Sequence, residues 1–112
     1  MHFWLAGAST TGTFYFAMFH VYVLHSEKDN GLYIGYTTNI KSRLKEHNEG
    51  SVISTKARRP LKLIFLESYI NKGDAVRREK YLKTTVGRKM LKVMLRNTLH
   101  EITSSATHNS AT

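Results

Sequence analysis

The sequence predicts a small α/β domain of the α+β kind, in which a three-stranded antiparallel sheet carries helices packed on it. Three observations predict this. Two short β-branched and aromatic runs are joined by a four-residue turn, a third such run returns after one helical stretch, and a helical period governs most of the remaining chain. A sheet of that size with helices against it is the most economical way to bury such a pattern. The 112 residues, 41% of them hydrophobic, suffice for one core and exclude a multi-domain architecture.

The elements come in the order β-β-α-β-α-α. His20 to His25 (HVYVLH) and Leu32 to Thr37 (LYIGYT) are strands, and Lys28-Asp29-Asn30-Gly31 between them is turn chemistry, since Asn and Gly tolerate positive φ. This is a hairpin. Thr38 or Asn39 can cap a helix with Ile40 and Leu44 on one face, ending near Asn48 to Gly50, where Gly50 suits a left-handed terminus. A long basic loop comes next, then Pro60 at the entry of a third strand, Leu61 to Ser68. Asp74 opens a helix through Lys83, and Val86, Met90, Val93, Met94 and Asn97 recur at helical spacing in a last one. The domain proper spans residues 20–99.

The two ends differ from the middle. Residues 1–19 carry no Lys, Arg, Asp or Glu, yet lack the basic start of a signal peptide and are too interrupted by Gly, Ser and Thr for a membrane span. Met18 immediately precedes the first strand, so translation is expected to start there, with residues 1–17 a mis-assigned or loose extension. Residues 100–112, rich in Ser, Thr and Ala without periodicity, read as a flexible tail.

Charge narrows the partners. Seventeen Lys and Arg against eight Asp and Glu give a formal net charge of +9 and a pI near 10.0, which favours a polyanion, and nucleic acid first. The absence of cysteine excludes disulfides, Cys-based zinc sites and a thiolate nucleophile, and suits the cytoplasm. From Lys56 to Arg96, thirteen Lys and Arg face three acids, and Lys56, Arg58 and Arg59 in the loop with Lys83, Arg88 and Lys89 further on are candidate contacts to a DNA backbone. A solvated basic face is the plainer reading of any one of them. Nothing resembles a recognition helix or zinc finger, so selectivity would come from nucleic-acid shape or from a protein partner. A monomer or weak dimer is expected, with no membrane role.

Several residues suggest chemistry. Tyr22 and Tyr33 lie on the two hairpin strands, where the phenols could face each other. Packing alone explains most such pairs, but Gly35, two residues past Tyr33, marks a place where another group must come close. Arg43 and His47 stand i,i+4 on the first helix, a spacing also common on solvated surfaces. Glu79 lies within RREKYLK, on the face shared by Ala75 and Leu82, where an acid is either paired with an arginine or holds a hard cation.

In Tyr33-Ile34-Gly35, in His20-Val21-Tyr22 ten residues before it, and in Arg43, Leu44, Glu46-His47-Asn48, Gly50, Pro60 and Arg78-Glu79-Lys80, the chain resembles the GIY-YIG nucleases, chiefly the small stand-alone branch similar to the nuclease domain of the bacterial excision-repair incision subunit. The resemblance covers about residues 20 to 97. It implies hydrolysis of DNA phosphodiester bonds in repair or recombination, selective for structure more than sequence. It assigns Tyr22, Tyr33, Arg43 and His47 to catalysis, with Tyr22 as general base, His47 taking up its proton and Arg43 easing its ionisation. Glu79 would hold one Mg²⁺ or Mn²⁺, and Gly35 and Asn48 would support the site. The chain departs from the pattern at Tyr36 and Leu91, where some members carry Lys and Asn. A nucleic-acid-binding module that kept the fold and lost cleavage is the alternative, and a structural protein with no nucleic-acid role the third.

Overall fold

The computed structural model describes residues 17–111. Residues 1–16 and 112, and with them the expected extension, lie outside the described residues. Strands β1 (Phe19–Ser26), β2 (Leu32–Thr37) and β3 (Leu61–Tyr69) form one antiparallel sheet in the order β2-β1-β3. Helices α1 (Ile40–Glu49) and α2 (Ile53–Lys56) separate β2 from β3, and α3 (Lys72–Leu82), α4 (Thr85–Met94) and α5 (Arg96–Ala111) succeed it. No helix among the described residues is long and apolar enough to cross a membrane.

The central strand divides the interior because its side chains alternate across the sheet. Val21 and Val23 point to one face and pack with Ile34, Ala75, Leu82, Leu91 and Leu95 under the C-terminal helices. Tyr22 and Leu24 point to the other and pack with Leu61, Tyr33, Leu63, Ile40 and Leu44 under α1. A register shift between Val23 and Leu24 lets β3 serve both faces: Leu61 and Leu63 join the Tyr22 side, whereas the consecutive Ile64 and Phe65 both join the Val21 side.

Local chemistry accounts for the element ends. In the β1–β2 turn Asn30 sits at φ 60, and Asp29 Oδ1 accepts the Gly31 N–H. The Asn39 side chain accepts the Ser42 N–H at the start of α1, a cap worth about 1 kcal/mol. Gly50 closes α1 at φ 84, returning its N–H to Glu46 and His47. Helix α3 starts at Lys72 and is capped by Asn71, two residues ahead of the expected opening at Asp74, which becomes a first-turn acid.

Three expectations need correction. The basic loop contains the short helix α2, whose Thr55 is buried. The last helix breaks at Leu95, and Asn97 belongs to α5; the residues that α4 buries are Gly87 and Leu91, with Leu95 just beyond, while Val86, Met90, Val93 and Met94 are exposed. The segment read as a flexible tail from residue 100 is helical through Ala111, because Leu99 docks α5 against the Val21 core and α5 then continues past it.

Candidate active site

The Tyr22 face of the sheet builds the site. Tyr22 is paired with Gly35 across β1 and β2, and Tyr33 with Leu24, so the phenols lie on one face but diagonally rather than opposite. Their ring centroids are 6.3 Å apart. A side chain at position 35 would overlap the Tyr22 Cζ and hydroxyl, so the bare backbone of Gly35 is what seats the phenol.

Helix α1 closes over these rings. His47 comes from the same side of α1 as Ile40 and Leu44, one turn further on, and is fully buried rather than on a separate polar face. Its Nε2 lies 2.8 Å from the Tyr22 hydroxyl and its Nδ1 2.8 Å from the Thr55 hydroxyl on α2. The imidazole also stands edge-on to Tyr33, with centroids 5.1 Å apart. Arg43, 34% exposed by side chain, donates from Nε to the Tyr22 oxygen at 3.4 Å and from Nη1 to Glu46 at 2.9 Å. Tyr22, Tyr33, Arg43 and His47 therefore meet at one place. Thr55 is a member that sequence reasoning missed: it lies in a segment with no periodicity, and only the folded contact with His47 reveals it.

Opposing influences act on the buried phenol. Burial pushes the Tyr22 phenol above its ordinary value and outweighs the lowering by the Arg43 hydrogen bond, while the charges of Tyr33 and Glu79 push it further up. Arg43 thus does not suffice to ionise Tyr22. Burial, aided by the Arg43 charge, pushes His47 down below 6.5, so the imidazole is neutral near pH 7 and free to accept a proton. Because unfolded His47 takes up a proton at higher pH than the folded residue, its contribution to stability is complete above about pH 6.5 and is lost as the pH falls below it. The melting temperature of the protein should therefore drop between about pH 7 and pH 5, and less steeply in His47→Gln; equal slopes in thermal melts would contradict this.

Among the described residues Glu79 makes no hydrogen bond or ion pair with these four side chains. Its helix packs on the Val21 face through Ala75 and Leu82, and its carboxylate, 18% exposed by side chain, pairs with Lys83 Nζ at 2.9 Å instead of with an arginine. Its charge reaches Tyr22 as the smallest of the influences on that phenol. Among the described residues no three His, Cys, Asp or Glu side chains cluster as a metal site.

The candidate backbone contacts lie on several elements. Lys56 and Arg59 line an open hollow of about 530 Å³ with Lys28 and Ile53, and Arg59 is steadied by donating to the Lys56 carbonyl. Arg58 clamps the hairpin turn through Asp29 at 2.7 Å, which engages its guanidinium. Arg88 and Lys89 are exposed on α4, and Lys83 is held by Glu79. Asn48 accepts the Leu61 N–H at 3.3 Å, tying the end of α1 to the start of β3.

The same segments are matched in other proteins. The GIY-YIG catalytic domain matches residues 18–92. A UPF0213 protein of Staphylococcus haemolyticus (strain JCSC1435) is 42% identical over 79 residues, covering 70% of this chain and 95% of the relative. The UPF0213 protein YazA of Bacillus subtilis (strain 168) is 41% identical over 71 residues, covering 62% of this chain and 72% of its own length. The solution NMR structure of a UPF0213 protein from Bacillus halodurans is 29% identical, with a TM-score of 0.46, over 69% of this chain and 84% of that one. With the domain matched over more than half of its length, and with a small relative aligned almost end to end, the chain belongs to the GIY-YIG family.

Proposed function

We propose that this protein is a divalent-metal-dependent endonuclease that hydrolyses DNA phosphodiester bonds, selecting its target by shape, in DNA repair or recombination. The observation that carries the reading is the 2.8 Å contact between the Tyr22 hydroxyl and a neutral His47, with the Arg43 guanidinium beside it. As the attacking water gives a proton to the Tyr22 oxygen, the phenol's own proton passes to His47 Nε2, so no free tyrosinate need form. The water oxygen bonds to phosphorus, the bond to the 3′ oxygen breaks, and that oxygen takes a proton from solvent. Arg43 stabilises charge growing on the phosphoryl oxygens, which its planar fork suits. Tyr22 is fully buried; a phosphate that draws the partly exposed Arg43 outward from its long bond would uncover the phenol.

Glu79 suits a hydrated Mg²⁺ or Mn²⁺, which takes one carboxylate together with waters and a substrate phosphate, and the Lys83 ammonium already places a cation on it. Such an ion supplies Lewis acidity to the phosphate and the departing oxygen. Lys83 would then turn to the DNA backbone, joining Lys56, Arg59, Arg88 and Lys89. The burial of Tyr22 and the Glu79–Lys83 pair favour a second reading, a DNA-binding module with little or no cleavage. Incubation of branched, nicked and continuous duplex DNA with and without Mg²⁺ or Mn²⁺ separates the two. Metal-dependent cuts that vanish in Glu79→Ala while DNA retention persists are expected; retention without cuts in the unmodified protein would establish the binding module.

A further inference from the structure

We propose that Thr55 is a positioning residue of this site, whose hydroxyl fixes His47 in the tautomer that turns a bare Nε2 toward Tyr22. The inference deepens the hydrolytic reading and its catalytic consequence rests on that reading. It comes from which groups can donate and which can only accept. The Tyr22 oxygen has two polar neighbours, His47 Nε2 at 2.8 Å and Arg43 Nε at 3.4 Å. Arginine has no acceptor, so among the described residues the phenol's proton can go only to His47. Were Nε2 protonated, the phenol oxygen would face two donors, and its own hydrogen would have no acceptor among the described residues, in a place where Tyr22 and His47 are both fully buried.

The other side of the ring agrees. Thr55 Oγ1, also fully buried, lies 2.8 Å from His47 Nδ1 and 3.5 Å from the Val52 carbonyl, which can only accept and which also takes the Thr55 and Lys56 N–H groups. With its hydrogen directed to Val52, the hydroxyl presents a lone pair to Nδ1, which must then carry the hydrogen. Every group is satisfied in a single direction: Arg43 to Tyr22, Tyr22 to His47, His47 to Thr55, Thr55 to Val52. The two residues reach each other because Gly50 ends α1 with a left-handed turn that brings α2 back beneath it. A valine at position 55 would keep the shape but remove the lone pair, leaving Nδ1–H without a partner and the tautomer held from the Tyr22 side alone. A serine would keep the oxygen.

Long-range ¹H–¹⁵N correlation spectra of the full chain report the His47 tautomer directly, whether or not the protein cleaves DNA. The unmodified protein is expected to show protonated Nδ1 and bare Nε2. Thr55→Val should shift His47 toward the opposite tautomer and cut the single-turnover cleavage rate by about 10- to 100-fold with DNA affinity retained, since precise orientation is worth factors of that order. Thr55→Ser should restore the tautomer and most of the lost rate, and it carries the test if Thr55→Val fails to fold. A protonated Nε2 in the unmodified protein, an unchanged tautomer in Thr55→Val, or a reversed one in Thr55→Ser would overturn the proposal. Absence of cleavage in the unmodified protein would instead count against the hydrolytic reading and leave the tautomer result standing.

Discussion

Replacing Tyr22 by Phe is expected to slow DNA cleavage by about 10²- to 10⁴-fold, the range contributed by a positioned acid–base group. The ring that packs with Leu24, Leu61, Ile40 and Leu44 is kept, so the fold should survive. The variant loses only the hydroxyl between Arg43 and His47. The buried Nε2 is left without a donor, a cost of about 1–3 kcal/mol that thermal melts would register. DNA retention should persist, because the residues proposed to hold the DNA backbone, Lys56, Arg59, Arg88 and Lys89, are unchanged. A variant that cleaves at the unmodified rate would remove Tyr22 from the chemistry.

Gly35→Ala should be equally damaging for a different reason. The added methyl would occupy the position of the Tyr22 phenol, and both partners are pinned, Gly35 by its pairing with Tyr22 in the ladder and Tyr22 by the α1 helix above it. Forcing the two apart is expected to destabilise the domain by about 1–3 kcal/mol, the usual cost of overpacking. It should also pull the hydroxyl away from His47, with a rate loss approaching that of Tyr22→Phe. Urea unfolding monitored by far-ultraviolet circular dichroism, together with single-turnover cleavage, would check both parts; an alanine variant with unchanged midpoint and rate would show that the phenol is not seated by the space at position 35.

The parts of this protein legible in its sequence are those decided locally. The hairpin stems from Asn30 and Gly31, the start of α1 from Asn39 and its end from Gly50, each a matter of one backbone conformation or one capping oxygen. Features that depend on distant contacts were not legible. Helix α4 carries two apolar sets at helical spacing, and periodicity cannot decide which faces the sheet. Packing chose Gly87 and Leu91, with Leu95 after them, over Val86, Met90, Val93 and Met94. Likewise nothing in residues 100–112 predicts a helix, since α5 is anchored upstream by Leu99.

The site divides in the same way. Strand patterning drew notice to Tyr22 and Gly35, and the i,i+4 spacing to Arg43 and His47. These signals alone equally fit packing and a solvated surface, and the family resemblance singled the residues out. The depth of His47 drew no notice, although its position three residues past Leu44 sets it on the apolar side of α1. Thr55 had no signal beyond its place in a basic loop. The Glu79–Lys83 pair is itself an i,i+4 arrangement readable from the sequence. Burial raises the Tyr22 phenol and lowers His47, a consequence of depth in the fold that the motif alone did not disclose.

The most direct test is to follow one turnover on a branched DNA labelled at its 5′ end, with protein in excess and Mg²⁺ added last. Cuts that appear only with the metal, leave 3′-hydroxyl and 5′-phosphate ends, and fall with Tyr22→Phe are the result this account predicts. Protein that holds the DNA but leaves it whole with either ion, or cleavage indifferent to the loss of the Tyr22 hydroxyl, would contradict it.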